Sequence, residues 1–443
     1  MLNDPKMEKR VHIKSYGCQM NVYDSERMAE ALIPMGYKTT DQEGDADLII
    51  LNTCHIREKA TEKIYSEIGR LKPIKQKNPD LKITVAGCVA QAEGEEIIRR
   101  QPMVDILVGP QSYHKLPDLI NNSEKKPVAL DLDQSGKFDQ SHRGNTSSQK
   151  VSSFLTVQEG CDKFCTFCVV PYTRGKEYSR PVSEIINEAK ELIRGGAREI
   201  VLLGQNVNAY HGLGKDSRSW SLADLIWKLS ELPELDRIRF VTSHPNEMTL
   251  DLITAFRDCP KLMPYLHLPI QSGSDKVLKL MNRKHTQAEY VEIISLLREY
   301  RSDIAISGDF IVGFPGETEE DFQQTLNIVE QIGFIKSFSF KYSPRPGTPA
   351  AERIQVDPDT QIERLNRLQA LLSKNQLEGQ KKYLGKNCQV LFEKEGRFKG
   401  QLVGKSEHFQ VVYGQVPQEW IGRVGTMNII DANINSLQGE LVS

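Results

Sequence analysis

Apolar positions in the first part of the chain fall into short runs separated by stretches of helical spacing. VHIKSY (11–16), DLIILN (47–52) and LKITVAG (81–87) read as strands, and the segments 21–35, 58–72 and 90–101 that follow them read as helices. Strand and helix in alternation predict a parallel sheet with helices on its faces. A polar stretch over 132–150, rich in Gly, Ser and Asn, interrupts the pattern and reads as a linker. The alternation then resumes with SFLTVQ (153–158), EIVLLG (199–204), RIRFVT (237–242), YLHLPI (265–270), AISGDFIVG (305–313) and SFSFKY (337–342). Six such repeats predict a partial (βα)6 barrel, whose chemistry belongs at the carboxyl ends of its strands. Over 358–384 the positions Ile362, Leu365, Leu368, Leu371, Leu372 and Leu377 share one helical face. Beyond it, strands near 388–394, 397–404, 408–414, 423–431 and 436–442 predict a small antiparallel β-barrel. The fold class is therefore α/β, with expected divisions at 1–131, 132–150, 151–379 and 380–443.

Length agrees, since 443 residues correspond to about three domains. With 39% hydrophobic and 26% charged residues the composition is that of a globular protein, which excludes a disordered or fibrous chain. Lys plus Arg number 57 against 59 Asp plus Glu, so any nucleic-acid footprint has to be local. Over 380–443 the count is 8 basic against 6 acidic residues, a mildly basic module. No apolar run approaches the length of a membrane span and MLNDPKMEKR is no secretory leader, so the cytoplasm is expected. In that reducing compartment the eight cysteines point to metal or redox chemistry rather than disulfides.

Cys161, Cys165 and Cys168 form a C-x3-C-x2-C triplet in the loop after the first barrel strand. Three thiolates at this spacing can hold three irons of a four-iron, four-sulfur cluster and leave the fourth iron open to a ligand. A zinc site or buried thiols are the alternatives, although zinc normally takes four protein ligands. Cys18, Cys54 and Cys88 are far apart in sequence, but each stands just past the end of a predicted strand. Spacing alone favours buried structural thiols. The strand-end placement makes a second three-cysteine cluster an equal alternative.

YGCQMNVYDSE (16–26), NTCHIREKATEK (52–63), AGCVAQAEGEE (86–96) and EGCDKFCTFCVVPYTRGKEYSRP (159–181) closely resemble the radical S-adenosylmethionine methylthiotransferase family. LLGQNVNAYHG (202–212), SHPNEM (243–248), HLPIQSGSDKVLKLMNRKHT (267–286), DFIVGFPGETEEDF (309–322) and YSPRPGTPA (342–350) extend the resemblance across the chain, and the C-terminal module resembles a TRAM domain. Within that family, Gln19, Met20 and Asn21 after Cys18 and REKATEK after Cys54 resemble the branch acting on isopentenylated tRNA more than the branches acting on threonylcarbamoyl-adenosine at the same tRNA position or on a ribosomal-protein aspartate. It implies a methylthiolation at carbon 2 of N6-isopentenyladenosine beside the anticodon, with one S-adenosylmethionine cleaved to a 5′-deoxyadenosyl radical and a second giving the methyl. It implies a radical-generating cluster on the triplet and an auxiliary four-iron, four-sulfur cluster on Cys18, Cys54 and Cys88. Carbon–hydrogen replacement on an aromatic base offers neither an acidic proton nor a leaving group, so radical chemistry is what the reaction demands. The partners implied are tRNA bearing the isopentenylated base, an electron donor and an iron-sulfur or sulfur delivery system, with no membrane and a monomer as the acting form.

By analogy with other radical enzymes, Gly204, Gln205 and Asn206 would meet the methionine moiety, and Gln271 and the stretch from Gly308 to Gly313 the adenosine. Turn or core duty is the plain alternative for each. Arg174, Lys176 and Arg180 near the cluster loop, and Arg364, Arg367, Lys374, Lys381 and Lys382 on the long helix, suit phosphates or a solvated face. Phe398, Phe409 and Trp420 could stack bases or fill the small barrel's core. His244 and His267 stand at strand ends, where they could face the substrate cavity, with packing or support of neighbouring groups the plainer role, while Cys259 and Cys388 lack partner spacing and read as buried or inert thiols. GLGKDS (212–217) lacks the phosphate-loop spacing. Two rivals remain: an iron-sulfur scaffold with an RNA-binding tail, which would not cleave S-adenosylmethionine, and a metal-independent RNA chaperone, which leaves six placed cysteines unexplained.

Overall fold

A computed structural model describes residues 8–55, 59–122, 126–133, 136–138, 150–215 and 217–442. The chain forms two compact units: one gathers 1–147 with 169–176, the other 148–168 with 177–443.

In the first unit, β1 (Lys9–Tyr16), β2 (Tyr37–Thr39), β3 (Leu48–Thr53), β4 (Lys82–Ala86), β5 (Ile106–Val108) and β6 (Val128–Ala129) make one parallel sheet in the order β2-β1-β3-β4-β5-β6. The central β3 is buried at every position, which is why it reads as an unbroken apolar run rather than an alternation. Helices α1 (Gln19–Leu32), α2 (Lys59–Lys77), α3 (Cys88–Glu93), α4 (Glu96–Arg100) and α5 (Leu116–Asn121) join the strands, and α6 (Val170–Arg174) belongs to the same unit. The helix expected over 90–101 is two helices, broken where Gly94 takes φ +57°. Residues 134–135 and 139–149 of the expected linker lie outside the described residues. Within that stretch Lys137 is buried and donates to Gln111 Oε1 at 3.0 Å, so this part of it is folded onto the first unit.

In the second unit, β7 (Ser152–Thr156) leads to a two-residue ladder of β8 (Gln158–Glu159) and β9 (Tyr178–Ser179). Then follow α7 (Val182–Arg194), β10 (Glu199–Leu203), α8 (Leu222–Ser230), β11 (Arg237–Phe240), α9 (Leu250–Asp258), β12 (Tyr265–His267), α10 (Asp275–Leu280), α11 (Gln287–Tyr300), β13 (Ala305–Val312), α12 (Glu319–Ile332) and β14 (Lys336–Lys341). The parallel sheets β11-β10-β7 and β12-β13-β14 are joined where Ile238 N donates to Lys261 O (2.7 Å) and Met263 N to Ile238 O (3.0 Å). Among the described residues no ladder closes β14 onto β7, so the six-stranded barrel is open along one side. Leu155, Ile200, Leu202, Ile238, Leu266, Ile306 and Phe310 face the helices and form the core. The alternate positions, including Glu199, Arg239, His267 and Asp309, face the barrel interior.

Helix α13 (Pro358–Lys381) starts at Asp357, whose carboxylate accepts from Thr360 N at 3.0 Å. It buries Leu368 and Leu372, but Ile362, expected on the same face, is exposed, because Gln361 and Arg364 occupy the inward positions of that turn. Strands β15 (Asn387–Glu395), β16 (Gln401–Ser406), β17 (Val411–Gln415), β18 (Val424–Ala432) and β19 (Ser436–Leu441) close into a barrel around Val390, Phe392, Leu402, Val412, Met427 and Leu437. It is antiparallel save for the β17–β19 pair, which runs parallel. This barrel is clamped to the amino ends of the larger barrel's strands. Arg237 donates to Lys405 O (2.7 Å) and Gln389 O (2.8 Å), and Arg239 to Glu407 O and Ser406 O (both 2.8 Å). Phe409 lies 4.9 Å from the Tyr265 ring with the Arg239 guanidinium over it, so it serves packing rather than base stacking.

Candidate active site

Strands β1, β3 and β4 are neighbours, so the turns after them bring Cys18, Cys54 and Cys88 to one edge of the sheet. Two glycines make room. A Cβ at Gly17 (φ +140°) would lie 2.2 Å from Cys54 Cβ, and one at Gly87 (φ +87°) 2.9 Å from Thr53 O. Asn21 and Asn52 fix the floor: Asn52 Nδ2 donates to Asn21 O (2.8 Å), Asn21 Nδ2 to Asn52 Oδ1 (3.1 Å), and the Cys18 thiol to Asn21 Oδ1 (3.2 Å). The hydrogen bond with Cys54, opposed by burial and helped by the Arg174 charge, lowers the Cys18 thiol to about 6. Burial raises that of Cys88, with Arg174 acting against it. Arg174 itself is buried and pairs with Asp24 at 2.6 Å.

Cys161, Cys165 and Cys168 lie in the loop between β8 and β9, over the carboxyl end of the larger barrel. The loop is pinned throughout. Gly160 N donates to Gln205 Oε1 (2.6 Å), Thr166 N to Met281 O (3.0 Å), Asn282 Nδ2 to Phe164 O (3.0 Å) and Cys168 N to Cys165 O (2.9 Å). Cys165 is buried beside Arg283 Nη1, 3.6 Å from its sulfur, and burial pushes the Cys161 thiol up to about 11. Among the described residues no three Cys, His, Asp or Glu stand at the spacing of a single ion's ligands. A four-iron cluster differs in this respect, since it spreads its thiolates over separate corners.

Around this loop several buried polar atoms lack a hydrogen-bond partner: both side-chain atoms of Asn206, Ser243 Oγ, His244 Nε2 and both ring nitrogens of His285. Burial, with Arg283, Lys163 and His285 nearby, pushes His244 down to about 2, and burial with Arg283 pushes His285 down to about 4. Both rings are neutral. Unpaired buried groups at the carboxyl ends of β10 and β11 are what a polar ligand would satisfy.

The other anticipated residues divide. Gly204 has no room for a side chain, a Cβ there lying 2.5 Å from Gln158 Oε1, while that oxygen accepts from Gln205 N (2.9 Å) and Asn206 N (3.0 Å). Gln271 takes φ +78°, and its N donates to Asp309 O at 2.9 Å. Gly308 packs against Phe334, and Gly313 (φ +66°) against Gln361 of α13, so both glycines answer to packing. The arginines offered to tRNA are committed within the fold. Arg180 pairs with Glu188 (2.8 Å), Arg364 is buried against Glu317 (3.5 Å) and Glu319 (3.4 Å), and the half-exposed Arg367 pairs with Glu319 (2.8 Å). Phe398 remains exposed, and Trp420 packs on Phe392. Missed in the sequence are Ser243, Arg283 and His285, while His267, anticipated at a strand end, lies on an interior line in which its Nδ1 meets Ser307 Oγ (3.0 Å) and its Nε2 faces Asp309 (3.5 Å). Beside that line Phe338 and Phe340 stand partly exposed on the open-edge strand β14.

Residues 10–109 match the model of "Uncharacterized protein family UPF0004" and residues 155–329 that of the Radical SAM superfamily. A protein of Roseobacter denitrificans named tRNA-2-methylthio-N(6)-dimethylallyladenosine synthase is 59% identical over 97% of this chain and 98% of its own length. A protein of the same name from Ruegeria sp. is 58% identical over 98% of this chain and 99% of its own. The chain belongs to the tRNA-2-methylthio-N(6)-dimethylallyladenosine synthase family. Among solved structures, this chain shares its fold with the radical S-adenosylmethionine methyltransferase TsrM of Kitasatospora setae, with TM-score 0.58 at 12% identity over 78% of this chain and 77% of that one. The cobalamin-dependent radical enzyme OxsB matches with TM-score 0.51 at 14% identity over 83% of this chain and 56% of that one. Radical SAM membership brings S-adenosylmethionine and an iron-sulfur cluster with it. The donor sets of this chain fit such groups: three thiols with one already acidic at the sheet edge, and three thiols beside unsatisfied polar atoms at the barrel mouth.

Proposed function

We propose that this chain methylthiolates carbon 2 of N6-isopentenyladenosine next to the anticodon of tRNA, using two molecules of S-adenosylmethionine and two four-iron, four-sulfur clusters. One observation carries the reading: a chain that hangs a C-x3-C-x2-C loop over the mouth of an open parallel barrel also gathers three further thiols at a sheet edge. The name shared by its full-length relatives supports the substrate. When bound, the clusters supply reductive cleavage of S-adenosylmethionine and a seat for the inserted sulfur.

The protein's own groups have separate tasks. Cys161, Cys165 and Cys168 hold the first cluster and Cys18, Cys54 and Cys88 the auxiliary one. Asn206, Ser243 and the neutral His244 offer hydrogen bonds to the polar end of S-adenosylmethionine, whose positive sulfonium is spared a charged imidazole. His267 and Asp309 meet the edge of the base, with Phe338 beside them as a stacking surface. The open side of the barrel gives the nucleotide its entry. The chain divides into a sulfur-handling domain (1–131), a connecting stretch (132–150), a radical core (151–379) and an RNA-binding module (380–443). It acts in the cytoplasm as a monomer, served by an electron donor and an iron-sulfur or sulfur delivery system.

The test is anaerobic turnover of reconstituted protein with reductant, S-adenosylmethionine and tRNA carrying either N6-isopentenyladenosine or N6-threonylcarbamoyladenosine, followed by mass analysis of digested nucleosides. A methylthio product from the isopentenylated tRNA alone is expected. Product from the threonylcarbamoyl substrate instead would move the chain to another substrate branch.

A further inference from the structure

The peptide that leaves Cys168 makes an excursion. Residues 169–176 fold with the unit that holds Cys18, Cys54 and Cys88, whereas the residues on both sides of them fold with the radical core. At the end of α6, Arg174 is buried, its side chain 3% exposed, and its carbonyl accepts from Gln111 Nε2 at 2.7 Å. Asp24 Oδ2 orients the guanidinium at 2.6 Å, and Asp24 Oδ1 lies 3.9 Å from the ammonium of Lys137, itself buried. Helix α6, which ends in Arg174, packs on α3, whose first residue is Cys88, and from there the guanidinium charge reaches Cys88 and Cys18. An arginine cannot lose its charge in a protein, and burying one costs more than an apolar residue of the same size would. Asp24 offsets part of that cost while also facing Lys137. The thiols are where further negative charge arises. A four-iron cluster on three thiolates is anionic, and an added sulfur ligand makes it more so.

Building on the assignment of an auxiliary cluster to Cys18, Cys54 and Cys88, we propose that Arg174 is the fixed counter-charge of that cluster. It is a positioning residue that makes the site tolerant of additional negative charge, carried there by the arm of chain leaving the triplet.

The potential of an iron-sulfur cluster follows the charge and hydrogen bonding around it, so the inference is read electrochemically. Replacing Cys161, Cys165 and Cys168 by Ala leaves the trio as the only cluster site of the full-length chain. In that background, iron and sulfide content and an EPR-monitored redox titration are compared for Arg174, Arg174→Gln, Arg174→Lys and Asp24→Asn. Arg174→Gln is expected to keep its iron and move the midpoint potential to more negative values. Arg174→Lys should fall between, and Asp24→Asn should move it the opposite way, because the carboxylate that shares the arginine's charge is gone. Opposite shifts cannot come from a merely structural tie. If Arg174→Gln fails to take up iron, the sign of the Asp24→Asn shift decides. Loaded variants with an unchanged potential would overturn the inference and leave the cluster assignment standing. A background chain with Arg174 intact that takes up no iron would overturn the assignment itself, and the inference with it.

Discussion

Cys18 and Cys161, one from each set of three cysteines, have opposite acid–base character. Cys18 is lowered to about 6 by its hydrogen bond with Cys54, with help from Arg174, while burial pushes Cys161 up to about 11. Near neutral pH the first is thiolate and the second thiol. Allowing for the weaker intrinsic nucleophilicity of the more acidic sulfur, Cys18 should alkylate about tenfold faster than Cys161 in cluster-free protein. Peptide mapping after a timed iodoacetamide pulse reads the ratio, and equal rates would contradict the assignment. Glu317 offers a second test. Burial raises its carboxyl to about 7 against the opposing charge of Arg364, so the folded state holds its proton more tightly than the unfolded chain does. Its contribution to stability is therefore complete at acid pH and is lost as pH rises from the unfolded value toward 7, by at most about 3 kcal/mol. Glu317→Gln should flatten that decline in a series of thermal melts between pH 5 and 8; parallel curves for the two proteins would refute it. At this scale the cysteines were legible, because a triplet spacing and a place after a strand are local signals. Arg174, Arg180 and Arg364 were not, because Asp24, Glu188 and Glu317, the carboxylates that draw them inward, are distant or unmarked in sequence and only burial tells a paired arginine from a phosphate-binding one.

Elements with long apolar runs could be read directly, and β3, β10 and β13 lie where the pattern puts them. Strands β2, β5 and β6 have only two or three residues each, too few for an alternation to register. The parallel closure by β17 and β19 depends on which strands meet, and periodicity does not encode that. The split of the helix over 90–101 turns on the backbone of one residue. Gly94 has φ +57° with only Leu130 Cδ1, at an ordinary 3.8 Å, near its Cβ position, whereas Gly87 has φ +87° and backbone 2.9 Å away. At Gly94 the backbone (φ +57°, ψ −143°) lies in a region close to glycine-only, so Gly94→Ala should cost that conformational penalty alone, about 1–3 kcal/mol. Gly87→Ala should cost more and also weaken iron binding at Cys54 and Cys88, since Thr53 must move. Melting temperatures and iron content of the two variants check this, and an equal loss in both would contradict it.

At the scale of the second unit, the C-terminal barrel is joined to the amino ends of the larger barrel's strands, the end opposite the triplet loop. The joint centres on Arg239, which reaches Glu199 at 2.7 Å and two carbonyls of the small barrel. Although burial opposes its charge, Arg239, Lys405 and Ser152 hold the Glu199 carboxyl below the ordinary range. Arg239→Ala would strand that carboxylate and should destabilise the protein by about 3–5 kcal/mol. Protease should then cut more readily between α13 and β15; an unchanged digestion pattern would show that the joint lies elsewhere. None of this was legible in sequence, since Arg237 and Arg239 read as an ordinary strand. The proposed division of one reaction between two cysteine sets is open to a single experiment: anaerobic turnover of two variants, Cys161/Cys165/Cys168→Ala and Cys18/Cys54/Cys88→Ala, with isopentenylated tRNA, measuring 5′-deoxyadenosine and methylthio nucleoside in the same samples. The first variant should form neither, and the second should form 5′-deoxyadenosine without the methylthio product. Methylthio product from either variant would show that the two cysteine sets do not share the reaction in this way.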